Sequence, residues 1–169
     1  SHSEVGFSVR HLMVSKVKGN FERFDGTITI APDPLQSSVA VEVDLSSINT
    51  RDEQRDGHLR SSDFFEVETH PAMTFVSTKV EPVGSDYRVT GDLTIKGTTR
   101  SVVLALEFNG VHPDPWGGTR AGFSATTEIS RKAYGVDFEI PMDGGGVVVG
   151  DKITVGLEVE AVLQAALVD

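Results

Sequence analysis

A chain of 169 residues is long enough for one domain with a full core and short for two. Hydrophobic residues at 38% and charged residues at 24% exclude a disordered chain. The formal net charge of −10 repels phosphate backbones and anionic surfaces. The densest basic stretches, Arg10 to Lys18 and Lys96 to Arg100, form no patch that reverses this, so nucleic acid is not an expected partner.

The sequence has no cysteine, which removes disulfides and thiolate metal sites and leaves the redox compartment open. No apolar run approaches the roughly 18 residues that span a bilayer, so stable membrane insertion is not expected. The chain opens at Ser1-His2-Ser3 and passes at once into strand-like residues. A soluble protein is expected, cytoplasmic if that is the natural start and periplasmic or secreted if a leader has been removed.

Period-two alternation dominates from there on. A first strand is expected over Val5 to Leu12 and a second over Phe21 to Ile30, stopped by Pro32-Asp33-Pro34 because proline cannot serve a central ladder. Val39, Val41, Val43 and Leu45 alternate with wetter residues and predict the third. Thr50 to Phe65 breaks the pattern. It is nearly all polar until Phe64-Phe65, which predicts a short solvated helix across one end, anchored by the two phenylalanines. Met73 to Val80 follows, then a turn at Gly84-Ser85-Asp86. Val89, Gly91, Leu93 and Ile95 form the next alternating run. A tight hairpin at Lys96-Gly97-Thr98-Thr99 leads into Val102, Leu104, Leu106 and Phe108. His112 to Gly118 reads as a loop capping one end, Ala121 to Ile129 as a weaker strand, and Ile153 to Ala161 as the last. Asp143-Gly144-Gly145-Gly146 is expected to be a flexible loop. It is no phosphate cradle, since Val147-Val148-Val149 follows where a Lys-Ser or Lys-Thr on a helix is needed.

One all-β domain spanning residues 1–169, of about eight antiparallel strands, follows. Alternation does not separate a sandwich from a barrel. Small residues within the strands (Gly91, Ala105, Ala121, Ala125, Gly156) hint at room inside or close backbone approach.

Several blocks, in order and spacing, carry a family resemblance over nearly the whole chain. They begin with His2-Ser3, then Val5-Gly6-Phe7-Ser8-Val9-Arg10-His11-Leu12-Met13 and Val17-Lys18-Gly19-Asn20-Phe21. Ser47-Ile48-Asn49-Thr50, Arg55 through Phe65, His70-Pro71, Phe75 and Ser77-Thr78 continue the series. Gly91 through Arg100, Ile129 through Lys132 with Tyr134-Gly135, and Val149-Gly150-Asp151 complete it. In these the sequence resembles the YceI family of lipocalin-like lipid-binding proteins. The family usually carries a short Trp-containing stretch before the His-Ser pair; its absence here puts the length of the first strand in question. The resemblance implies an extended eight-stranded antiparallel barrel with a hydrophobic pore. It also implies a polyisoprenoid, isoprenoid-quinone or fatty-acyl ligand, no cofactor, no catalysis, and a possible homodimer.

On that reading the inward phase supplies a pore lining of Phe7, Val9, Val41, Val43, Phe75, Leu93, Leu104, Leu106, Phe123, Val155 and Leu157, with Phe64, Phe65 and Phe138 near an opening. Burying each methylene of a lipid tail gains about 0.8 kcal/mol, so a long tail needs few polar contacts. The plain alternative is that these side chains fill one another's space, as in a structural or partner-binding barrel. Arg10, His11, His58 and Arg60 are head-group candidates at a pore mouth. Against that, Asp56 and Arg60, four residues apart, are expected to pair as a local bridge, and His11 can be satisfied within the first strand. Hydrolysis by Asp56 and His58 is the remaining alternative, weakened by the lack of a serine elbow, a His-Glu-x-x-His zinc pair or a nucleotide loop. The five histidines are spread without metal-ligand spacing.

Overall fold

The computed structural model describes residues 3–11, 15–139 and 149–162. The expected Asp143–Gly146 loop, together with Leu12 and Met13, lies outside the described residues.

Ten strands form one antiparallel sheet among the described residues, two more than the alternation showed. They are β1 (Glu4–His11), β2 (Ser15–Phe21), β3 (Phe24–Thr29), β4 (Ser38–Asp44), β5 (Ile48–Asn49), β6 (Ala72–Val83), β7 (Asp86–Ile95), β8 (Thr98–Pro113), β9 (Thr119–Ser130) and β10 (Val149–Val162). The order across the sheet is β3-β4-β6-β7-β8-β9-β10-β1-β2-β5. The turns after β6 and β7 fall where Gly84-Ser85 and Lys96-Gly97 place them; Gly97 at φ 77° has the left-handed backbone a tight hairpin requires.

One piece of chain links edge strand β3 to β2, next to the opposite edge. β2 runs into β3 through Glu22 and Arg23 alone, and β2 pairs with β1 while β3 pairs with β4. The Glu22 N–H donates to Ser47 O at 3.1 Å and the Asp44 N–H to Arg23 O at 2.9 Å, fastening the corner. The sheet therefore curls into a half-barrel joined at this corner, the lipocalin-like fold expected. The sequence segment 21–30, expected as one strand, is divided by this corner.

The helix α1 (Glu53–Arg60) lies in the irregular stretch that the alternation skipped. Asp52 caps its N-terminus, accepting from the Arg55 N–H at 3.0 Å, with Glu53 and Asp56 in the first turn and His58 and Arg60 in the last, as the helix dipole favours. Asp56 is the one buried residue of this helix. Polar bonds, more than an apolar stripe, hold it in place. Arg60 Nε donates to Ser46 O (2.9 Å) and Nη2 to Ile48 O (3.3 Å). Asp56 Oδ1 accepts from the Thr50 N–H (2.9 Å) and Oγ1 (2.5 Å). Asp56 and Arg60 thus do not pair with each other. Each turns to the backbone beneath the helix, where unpaired amide and carbonyl groups need partners.

Alternation is kept most clearly in β7, where Val89, Gly91, Leu93 and Ile95 are all buried. Two apolar clusters fill the interior. One gathers Phe64, Phe75, Val89, Leu93, Ile95, Leu104, Ala125, Tyr134 and Val136; the other, at the corner, gathers Val5, Phe21, Val43, Leu45 and Ile48.

Candidate functional site, an apolar cavity beside the helix

Between the two clusters, at the end of the half-barrel that carries α1, lies a cavity of about 100 Å³. Cross-strand register assembles its widest wall: Phe7 pairs with Val155 and Val9 with Ile153 across β1 and β10, and Ile129 of β9 pairs with Ile153. Val5, opposite Phe21 on β2, joins the wall at the corner. Leu59 of α1 with Phe64 and Phe65 closes one side, and Ile95, Met73 and Ile48 another. Phe7 and Phe21 have ring centres 5.6 Å apart, and Phe21 meets Phe65 edge-on at 6.3 Å, so three rings run along the wall. Gly19, opposite Phe7, has a backbone reason to be glycine: a Cβ there would sit 2.5 Å from the Phe7 ring. Its absence lets the ring lie against the sheet and leaves the lumen open.

Of the eighteen wall residues, only Arg131 and Tyr134 carry polar side-chain atoms. Both come from the turn after β9. Arg131 is 5% exposed, and its guanidinium is held by carbonyls alone: Nε to Gly150 O (2.8 Å), Nη1 to Val136 O and Phe138 O (2.9 Å each), and Nη2 to Val149 O (3.0 Å). It ties the segment 136–138 to the start of β10. Burial works against the carboxylate of nearby Asp151. Hydrogen bonds from Ser130 Oγ and the Lys132 N–H, with the charges of Arg131 and Lys132, nevertheless leave it below the usual carboxylate range. Tyr134 is 2% exposed, and its hydroxyl is the one buried side-chain polar atom without a hydrogen-bond partner among the described residues.

Of the residues expected to line a pore, Phe7, Val9, Phe64, Phe65 and Val155 stand on the cavity wall. Phe75, Leu93 and Leu104 face inward but are packed within the first cluster, with Leu106 against it; Val43 is buried in the second, and Val41 and Leu157 pack against both. Phe123 stacks with Phe108 at 5.3 Å, outside the wall. Phe138 joins His58 and Phe64 in a three-ring group, with centres 5.0–5.3 Å apart, of which Phe64 alone is on the wall.

None of the head-group candidates is on the wall. Arg10 is exposed beside Lys16, in the outward phase of β1, and His11 ends that strand. His58 Nε2 meets Asp63 Oδ2 at 2.8 Å, so Asp56 and His58 face different partners. Arg60 is spent on the carbonyls beneath its helix.

Wall residues that sequence reasoning missed include Val5, Phe21, Met73, Ile95, Ile129 and Ile153 within strands, and Leu59, Arg131, Tyr134 and Val136 from the helix and the turn after β9, where no period of two marks an inward face. A second hollow, of about 260 Å³, lies around Trp116, Arg120 and Asp114 in the turn between β8 and β9, at the opposite end. Trp116 there is 81% exposed, so this loop does not cap the interior. Among the described residues no helix is long and apolar enough to cross a membrane, and no group of three or more His, Asp or Glu side chains is placed to hold a metal ion.

Residues 1–161 match the YceI-like domain family. The chain belongs to that family. A UPF0312 protein of Photorhabdus laumondii is 42% identical over 145 residues, covering 85% of this chain and 73% of the relative. Among solved structures, Burkholderia cenocepacia BcnA superposes with a TM-score of 0.81 at 25% identity, covering 94% of this chain and 96% of that one. A domain from Saccharophagus degradans described as polyisoprenoid-binding superposes at 0.70 with 17% identity, covering 94% and 92%, which shows a shared fold.

Proposed function

We propose that the protein binds a long-chain amphiphile, a polyisoprenoid, isoprenoid quinone or fatty-acyl lipid, in the apolar interior of its half-barrel, and sequesters or carries it without chemistry. The observation behind this reading is the wall itself. It brings aliphatic and aromatic side chains from seven strands, α1 and two turns around one space, with only two polar side chains among eighteen residues. Such a space has nothing to offer water and much to offer hydrocarbon. The binding described for the Saccharophagus domain, on the same fold, is consistent with it.

At about 100 Å³ the space is smaller than the roughly 150 Å³ cavity that holds benzene in an engineered protein. A full tail therefore requires lumen side chains to turn aside, with the lining rings Phe7 and Phe65 the bulkiest to move. The same volume favours a second reading, a structural or partner-binding barrel with a filled core. Uptake of farnesol and palmitic acid, measured by equilibrium dialysis, separates the two. The carrier takes up at least one of them, and Val155→Phe, which fills the lumen, weakens uptake while the melting temperature stays within a few degrees. A filled core takes up neither.

A further inference from the structure

The large apolar side chains left exposed are not scattered over the surface. Ile30 and Leu35 stand in the connection from β3 to β4, Val83 at the β6–β7 turn, Phe108 and Val111 on β8, and Trp116 between β8 and β9. Register brings all six to the end of the half-barrel away from α1: Thr29 pairs with Ser38 there, Val83 with Asp86, and Pro113 with Thr119. Phe108 pairs with Phe123 and Val111 with Ala121, both of them buried on the inner face. The apolar lining of the half-barrel therefore runs out to this rim and ends there in solvent. Val76 and Val103, exposed on the outer face of β6 and β8, lie apart.

The charges between these side chains are mainly acidic. Lys79 is paired with Glu81 at 3.5 Å, and Arg120 with Asp114 (3.2 Å) and Glu160 (3.3 Å). Glu4, Asp33, Asp86, Glu107 and Glu158 remain exposed at this end, against Arg88. An acidic rim is repelled by anionic lipid and attracted by ammonium groups, which zwitterionic phospholipids carry outermost. A tryptophan at the tip, with an apolar body and an N–H, suits the boundary between head group and acyl chain. The apolar side chains stand on separate turns and strand ends with carboxylates between them, an arrangement that a fluid surface accommodates and a rigid partner does not.

We propose that this rim docks on the surface of a zwitterionic lipid bilayer, with Trp116 and Phe108 entering the head-group layer. Docking of this kind goes beyond cargo binding, and it can occur whether or not the interior holds a lipid.

Trp116 is the chain's single tryptophan, so its fluorescence reports on this surface alone. The full chain is titrated with vesicles of phosphatidylcholine, and with the same vesicles made half phosphatidylglycerol. With phosphatidylcholine the expected results are a blue shift of the emission, quenching by brominated acyl chains, and co-sedimentation with the vesicles. Half-anionic vesicles should bind several-fold more weakly at low salt, a difference that closes as salt screens the rim. Leu35→Glu and Val83→Glu, at exposed positions where the fold is not at stake, should each weaken sedimentation roughly tenfold. Val76→Glu, on the outer face, should leave it unchanged. The proposal is overturned if Trp116 is neither shifted nor quenched, if the rim variants sediment as the wild type does, or if anionic lipid is required. A blue shift on concentrating the protein, with no further change on adding vesicles, also overturns it, since a second copy then covers the rim. Uptake of farnesol or palmitic acid is measured separately, so failure to dock and failure to bind cargo are distinct results.

Discussion

Three glycines in this sheet look alike in sequence and should respond differently to alanine, because their surroundings differ. At Gly91 an added Cβ would run into the Phe75 ring and lie 2.7 Å from the Val76 carbonyl oxygen. The ring is buried in the first cluster, and the oxygen belongs to the backbone, so neither can give way cheaply. Overpacking of this kind costs about 1–3 kcal/mol, and the backbone contact places Gly91→Ala near the top of that range. For a domain of this size, about 2–3 kcal/mol lowers the melting temperature by roughly 4–12 °C. At Gly19 the obstacles are the ends of side chains, the Phe7 ring at 2.5 Å and Thr50 Cγ2 at 2.8 Å, and Phe7 borders the cavity. The ring can rotate into that space. An off-rotamer cost of about 0.5–1.5 kcal/mol is then offset by the gain of about 0.5–1 kcal/mol from removing a strand glycine. Gly19→Ala should therefore stay within about 1 kcal/mol of the wild type while its lumen shrinks and lipid uptake weakens. At Gly156 nothing lies within 4 Å of the added Cβ, and alanine should be neutral or slightly stabilising. Thermal and urea unfolding of the three variants, with lipid uptake for Gly19→Ala, test the set. Equal destabilisation at positions 19 and 91 would refute the reasoning, since it would mean that no free space adjoins Phe7.

Arg131→Met should destabilise by about 3 kcal/mol or more in urea unfolding, because it leaves four carbonyls without their donor; Arg131→Lys should recover only part, since an ammonium cannot reproduce the fork. Asp151 is held below its unfolded value of about 3.9, so its contribution is complete above that pH and is lost as pH falls through the lower, folded value. The stability gap between the wild type and Asp151→Asn should accordingly be wide at pH 7 and narrow below pH 3; a gap independent of pH would contradict the assignment. Thr50→Val should loosen α1, since the Thr50 hydroxyl donates to buried Asp56 and accepts from Arg55 Nε at 2.8 Å. The expected cost is about 1–3 kcal/mol, with faster amide exchange in Glu53–Arg60.

Much of the sheet was legible because half-buried strands write their burial as period two. Val39 to Val43 and Val89 to Ile95 alternate in the structure as in the sequence. β2 escaped notice because Ser15, Lys16, Lys18 and Asn20 are polar and Gly19 interrupts the inward phase that Val17 begins. That gap in the pattern is what lets Phe7 lie flat. The cavity was harder to place than the strands. Alternation says which face of a strand points inward, but not which layer along the axis is packed and which is open. Phe75, Leu93 and Leu104 share the inward phase of their strands yet sit in the packed layer. Arg131 shows the opposite failure: its charge suggests a surface, and only backbone carbonyls converging from two segments make its burial tolerable.

The most direct check is native mass spectrometry of the protein purified without detergent, followed by organic extraction of whatever remains bound. The expected result is a complex heavier than the chain by one long-chain amphiphile, released by solvent. Protein that emerges at its bare mass, and stays so after incubation with farnesol and palmitic acid, would contradict lipid binding.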